Sequence, residues 1–252
     1  MLQKPILLLL SLLLLASLTA CSDDDKDDDG SLSDLPFEEL MNNEISFMGF
    51  FVDEWMDEIE TEVTIFILEE HESVSLTLNG DEIELESFFG FYYAETDYTP
   101  GSSVEYNLTV DGNSTSGSIT IANIPNGNFP EEFNLNADYS FSWTIASNPQ
   151  AFVAEISIED DEDWYDTIVE LPGSARNHTF SRDIYSSFDE DDLWYIDAGI
   201  TAVNFEVNGN MLILSGAGSY ETYDFGGGSW NMQAMENESK MPRNRFIRSI
   251  LK

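Results

Sequence analysis

Beyond Glu44 the chain alternates apolar and polar residues with the period of a β-strand. Val74-Ser75-Leu76-Thr77-Leu78 and Glu82-Ile83-Glu84-Leu85-Glu86 each place every second side chain on one face. Asn79-Gly80 between them supplies the two left-handed residues of a tight hairpin turn. Residues 62–68 form a strand before this hairpin, and residues 88–94, 104–110 and 118–122 follow it. Turn signals lie at Pro100-Gly101 and Asp111-Gly112-Asn113. The second half repeats this grammar. Tyr139-Ser140-Phe141-Ser142-Trp143-Thr144-Ile145 alternates aromatic with small polar residues, and strands are predicted over 152–158, 166–171, 193–198, 202–207 and 211–214. Asn208-Gly209 is a second hairpin signal, and Gly226-Gly227-Gly228 marks the end of the sheet region. No sustained helical period occurs between Glu60 and Tyr223. Short strands at a spacing of about ten residues predict an all-β protein of sandwich or barrel type. Pro125-Asn126-Gly127-Asn128 is the expected boundary between a first domain over residues 44–125 and a second over 126–235.

The N-terminal pattern is different. One cation, Lys4, precedes an apolar run from Ile6 to Leu18 that only Ser11 and Ser17 interrupt. The run is too short to cross a bilayer core and ends in small residues, so residues 1–20 read as a secretory leader. Leu18-Thr19-Ala20-Cys21 resembles the lipobox of bacterial lipoproteins, which implies cleavage before Cys21 and lipidation of that residue. The attached chains would make a permanent anchor, since two or more acyl chains hold a protein stably where one does not. Ser22-Asp23-Asp24-Asp25-Lys26-Asp27-Asp28-Asp29 is similar to the acidic export signals of some Gram-negative lipoproteins. That resemblance implies a lipid-anchored position in the outer membrane, facing the cell exterior, with a periplasm-facing position as the alternative. The same run suits a solvated spacer, because like charges keep a segment extended, and residues 21–43 are expected to be a disordered tether. Cys21 is the single cysteine, so no disulfide can form within the chain.

Charge narrows the partners. The chain holds 49 acidic and 9 basic residues, a formal net charge of −40, and Arg176 and Arg182 are the only cations between Asp27 and Ser239. Such a body repels nucleic acid and anionic membrane, and attracts divalent cations, cationic partners or neutral ligands. Plain solubility is the competing explanation. The hydrophobic fraction of 42% and aromatic fraction of 13% are enough to build a core without disulfides.

Residues 139–145 followed by 151–158 resemble the early strands of a fibronectin type III or related immunoglobulin-like domain, in which a strand tryptophan packs in the core. Pro100-Gly101 followed by Tyr106-Asn107-Leu108-Thr109-Val110 is similar to the turn and strand that carry the tyrosine corner of such domains. The resemblance implies two immunoglobulin-like antiparallel β-sandwiches in tandem, an architecture that hosts many functions.

Two acidic runs fall in loops of the second half, Asp160-Asp161-Glu162-Asp163 and Asp189-Glu190-Asp191-Asp192. Clustered carboxylates suit a hard cation, which makes Asp160, Asp161, Asp163, Asp189, Asp191 and Asp192 candidate Ca²⁺ ligands. Solvated loop tips would have the same composition. Trp164-Tyr165 and Trp194-Tyr195 directly follow these runs, and acids beside exposed aromatic rings are the chemistry of a glycan site. Core packing is the other use of such residues in strands. Asp25-Lys26-Asp27-Asp28-Asp29-Gly30 opens like a calcium loop, but Pro36 stands where the bidentate Glu belongs. His71 and His178 are the only histidines, and neither has zinc-like or triad-like spacing. Gly-x-Ser-x-Gly and phosphate-binding loops are absent. Residues 236–252 are expected to be a basic C-terminal tail: residues 240–252 hold five of the nine cations, and as a helix they would set Phe246, Ile247, Ile250 and Leu251 opposite Arg245, Arg248 and Lys252. Such a tail can lie on an anionic membrane, dock on the acidic body, bind a partner or fray. The expected function is a lipid-anchored, surface-exposed, non-catalytic binding or spacer module for glycan or protein ligands. A surface carbohydrate-active enzyme and an accessory lipoprotein of an outer-membrane uptake complex are the alternatives.

Overall fold

The computed structural model describes residues 46–55, 58–67, 73–88, 91–160, 164–188 and 193–225. Among them the only helical element is a 3₁₀ turn, Arg182–Ile184, and the protein is all-β. The first half contributes β1 (Ser46–Trp55), β2 (Glu58–Phe66), β3 (Val74–Leu78), β4 (Asp81–Ile83), β5 (Glu86–Phe88), β6 (Phe91–Thr96), β7 (Ser103–Val110) and β8 (Asn113–Thr120). The second half contributes β9 (Asn126–Asn128), β10 (Tyr139–Thr144), β11 (Ala151–Asp160), β12 (Trp164–Pro172), β13 (Asn177–Phe180), β14 (Leu193–Asn208) and β15 (Met211–Asp224). They form an eight-stranded sheet in the order β12-β11-β14-β15-β1-β2-β6-β5, a four-stranded sheet β4-β3-β7-β8 and a three-stranded sheet β13-β10-β9.

Local chemistry explains the hairpins. Asn79 and Gly80 take φ of 52° and 89°, the left-handed pair that matches the twist of β3 and β4. Asp111 and Gly112, at φ of 47° and 82°, do the same between β7 and β8. The β14–β15 turn is shifted by one residue from its expected place. Asn208 pairs with Met211, and only Gly209 is left-handed, the pattern of a II′ turn. The predicted strand over 88–94 is two strands, since Ser87 pairs with Tyr92 and Phe88 with Phe91. The strands predicted over 193–198 and 202–207 are one continuous β14. β15 runs ten residues beyond the predicted end at Leu214, to Asp224.

The expected division at residues 125–128 does not separate two closed sandwiches. β1 of the first half pairs in parallel with β15 of the second, from Ser46 opposite Met211 to Val52 opposite Ala217. Strands from both halves therefore enter one sheet, and Asn126–Asn128 is itself β9, paired with β10. A single core cluster runs from Met48 and Phe50 through Leu108, Trp143 and Ile156 to Tyr223. The pairing escapes a local pattern because it joins the two ends of the described chain. Tyr106 also departs from expectation. Its hydroxyl donates to Glu206 Oε1 at 3.3 Å and accepts from Asn208 Nδ2 at 3.0 Å, so it ties β7 to β14 and makes no corner bond to its own turn.

Both small sheets cover the same face of the large one. On that inner face stand Met48, Phe50, Val63, Ile65, Phe152, Ala154, Ile156, Ile200, Ala202 and Ile213. Leu76, Leu78, Val104 and Leu108 meet them from the four-stranded sheet, and Phe141, Trp143 and Phe180 from the three-stranded sheet. Each of the Val, Leu, Ile, Met and Phe side chains contributes about 1.5–3 kcal/mol on leaving water. Trp143, 2% exposed, packs edge-on against Phe152, which places the strand tryptophan in the core as expected.

Candidate functional site

The register brings the strand positions of Asp160, Trp164, Tyr165 and Tyr195 to one end of the large sheet. Asp160 pairs with Leu193, and Glu159 pairs with Trp164 on one side and Tyr195 on the other. The strand ends that flank residues 161–163 and 189–192 are therefore paired, although they lie far apart in sequence. Between Glu159 and Asp160 the register shifts, which makes Trp194 the extra residue of a β-bulge. A bulge bends its strand and re-aims the side chains beside it, here at the rim of the sheet. The Trp194 carbonyl accepts from Phe225 N at 3.0 Å and the Tyr195 hydroxyl donates to Glu159, so both are held at the strand ends. Tyr165 is 44% exposed with its ring tilted against Phe188, 6.2 Å between centroids. An exposed ring on an apolar base is suited to stacking.

Other predicted residues fall elsewhere. Asp161, Asp163, Asp189, Asp191, Asp192, Cys21, the run 25–30, His71 and the tail 240–252 lie outside the described residues, as do the side chains of Asp160 and Trp164. Among the described residues no group of three or more His, Cys, Asp or Glu side chains is gathered as a metal site. His178 is half-buried with its ring edge-on to Phe180 at 4.5 Å, and burial lowers its pKa. It is a packing residue of β13.

A polar ladder on the outer face of the large sheet escaped the sequence reading. Alternation along β11 puts Glu155, Ser157 and Glu159 on the face opposite Phe152, Ala154 and Ile156. Ser157 Oγ donates to Asp166 and Thr222 Oγ1 donates to Asp197, linking β12 to β11 and β15 to β14. The Thr201 and Tyr220 hydroxyls meet at 2.7 Å. The Tyr220 ring lies flat over Gly199, leaving no room for a Cβ there. Glu155 is 5% and Asp197 1% exposed, and Val153, Leu212 and Leu214 on the same face are equally buried. Glu155, Asp166, Glu170, Asp197 and Asp224 take part in further interactions besides these. The signal was an acid at mid-strand in otherwise apolar stretches, at Glu155 and Asp197.

On the inner face the tyrosines are structural. Tyr223 donates to the Pro130 carbonyl at 2.7 Å and accepts from Tyr139 at 2.8 Å. Burial, then donation to Tyr223, pushes the Tyr139 hydroxyl far above the ordinary phenol range, so it stays neutral. Tyr185 donates to the Ala137 carbonyl at 2.6 Å. Arg176 serves neutral oxygens as well, donating to the Gly173 carbonyl at 3.1 Å and to Ala175 and Asn148, over the Phe152 ring.

The chain matches no protein-family model, and no curated protein matches it significantly. Among solved structures it is similar to the FN1-FN3 domains of chicken CNTN1, at 12% identity over 67% of this chain and 67% of that one, with a TM-score of 0.19. An overlap that low carries no argument, and the fold rests on the strand pairing described above.

Proposed function

We propose that the protein is a bacterial lipoprotein, anchored through Cys21 and displayed on the outer membrane, whose all-β body is a non-catalytic binding module. Glycan or protein ligands are taken at the sheet end formed by Trp164, Tyr165, Trp194 and Tyr195 with the two acid runs. The observation that supports this reading is the register of β11 with β12 and β14, which sets Glu159 between Trp164 and Tyr195 and opens both acid runs at that end. Sugars offer ring faces that stack on aromatic side chains and hydroxyls that carboxylates accept from or that Ca²⁺ coordinates. The bulge at Trp194 and the exposure of Tyr165 suit that use.

Titration of neutral polysaccharides against the wild type, Tyr165→Ala and Trp194→Ala, with and without Ca²⁺, tests the site. Binding that both variants lose while their melting temperatures hold would support it. Binding that neither variant affects places the ligand elsewhere. A Ca²⁺ effect larger than that of ionic-strength-matched NaCl assigns the cation to the acid runs, whereas equal effects reduce it to screening. Intact-mass analysis of membrane-extracted protein tests the anchor. An unmodified Cys21, or processing at another residue, would overturn it.

A further inference from the structure

We infer that the outer face of the large sheet, over β12, β11, β14 and β15, is the docking surface of the chain's own basic C-terminal segment, residues 226–252. Both small sheets occupy the inner face, as the Trp143–Phe152, Tyr139–Tyr223 and Tyr106–Glu206 contacts establish. No described strand lies over the outer face, yet Val153, Asp197, Thr201, Leu212 and Leu214 on it are at most 3% exposed. The Phe47, Phe51 and Tyr220 rings fold over Gly49 and Gly199 on this face and shield part of it, and the rest of that burial requires a further cover.

Charge selects the cover. This face carries Glu155, Glu159, Asp166, Glu170, Asp197 and Asp224, by strand alternation and register. Of the two cations between Asp27 and Ser239, Arg176 is committed to neutral oxygens over Phe152 on the inner face, and Arg182 sits on the 3₁₀ turn after β13. Lys240, Arg243, Arg245, Arg248 and Lys252 are the only further cations after β15, and they come with the apolar stripe Phe246, Ile247, Ile250 and Leu251. Val153, Leu212 and Leu214 offer that stripe an apolar floor. The combination matters, because exposed ion pairs alone contribute only about 0–1 kcal/mol each.

The chain path permits it. β15 ends at Asp224, whose partner Tyr195 adjoins Glu159, so the segment leaves the sheet at the acidic edge of the face. Residues 226–239 can cover up to about 45 Å when extended, and residues 240–252 would be about 20 Å long as a helix. Four strands spaced about 4.8 Å apart present a face of roughly that width. Covalent attachment holds the segment at a high effective concentration beside it.

Carbodiimide labelling of carboxylates, read by mass spectrometry on the full mature chain in non-ionic detergent, tests the docking. The variants are deletion of residues 240–252 and Arg245→Glu with Arg248→Glu, and exposed Glu131 and Glu132 serve as internal references. Labelling of Glu155, Asp166 and Asp197 is expected to rise several-fold in both variants at low salt, and in the wild type at high salt, with strand content retained by circular dichroism. If the deletion fails to fold, the charge-reversal pair carries the test. Unchanged labelling in a folded variant would overturn the docking. So would protection that disappears on dilution, which assigns the cover to a second copy. Tail-dependent binding to phosphatidylglycerol vesicles without a change in labelling would assign the tail to a membrane instead.

Discussion

The Tyr223 hydroxyl donates to the Pro130 carbonyl while accepting from Tyr139, so one oxygen joins β15 to β10 and to the loop after β9. Tyr223→Phe strands the buried Tyr139 hydroxyl and the half-buried Pro130 carbonyl, and should cost about 1–3 kcal/mol. Tyr139→Phe leaves the bond to Pro130 intact and should cost about 0.5–1.5 kcal/mol. Urea denaturation of the two variants checks the order, and a larger loss for Tyr139→Phe would contradict this geometry. His178 gives a pH signature of known sign. Burial lowers its folded-state pKa, so below the ordinary value of about 6.5 the unfolded chain binds a proton that the folded chain resists. Its contribution is intact above that pH and is lost as the pH falls toward the lowered value. His178→Gln should therefore flatten the decline in stability between neutral and mildly acidic pH, measured as the difference between two denaturation series. Parallel series would remove His178 from the acid response.

At the scale of elements, what could be read from sequence was what neighbours along the chain decide. The Asn79-Gly80 and Asp111-Gly112 turns followed from φ preferences of residues in contact. The strands they join followed from strict alternation, because β3 and β7 have one buried face. β1 showed no alternation, since Met48 and Phe50 are buried on one side and Phe51 on the other. The site was legible in part for the same reason. Acid runs and aromatic pairs stood out as motifs, but the pairing of Glu159 with Trp164 and Tyr195 depends on strand register and on a bulge that no local signal marks. The outer-face ladder was hidden by burial of polar residues where apolar ones are the rule. Gly199 is a consequence of that ladder. Its Cβ would stand 2.2 Å from the Tyr220 ring, which is bonded through its hydroxyl to Thr201. Gly199→Ala must displace the ring and should cost about 1–3 kcal/mol in thermal denaturation. In a Tyr220→Leu background much of that cost should vanish, because the two sites share one contact. Strict additivity would mean the alanine is accommodated elsewhere.

At the scale of the whole molecule, the parallel β1–β15 pair decides how the protein comes apart. Without it, the halves would each own a sheet and unfold separately. With it, removing residues 44–125 uncovers the β15 edge from Met211 to Ala217, and removing 126–235 strips β1 of its partner. The core is divided by the same cut, since Met48 and Phe50 share one cluster with Ile156, Ile200 and Ile213. An edge strand that loses its neighbour presents unpaired backbone groups, and a half core leaves its apolar face in water. The body should therefore unfold in a single calorimetric transition whose van't Hoff and calorimetric enthalpies agree. Residues 44–125 and 126–235 expressed apart should each aggregate or remain unfolded, and should recover strand content only when refolded together. Two resolved transitions, or a fragment with native-like dispersed amide resonances on its own, would show that the shared sheet is a weak junction between independent units.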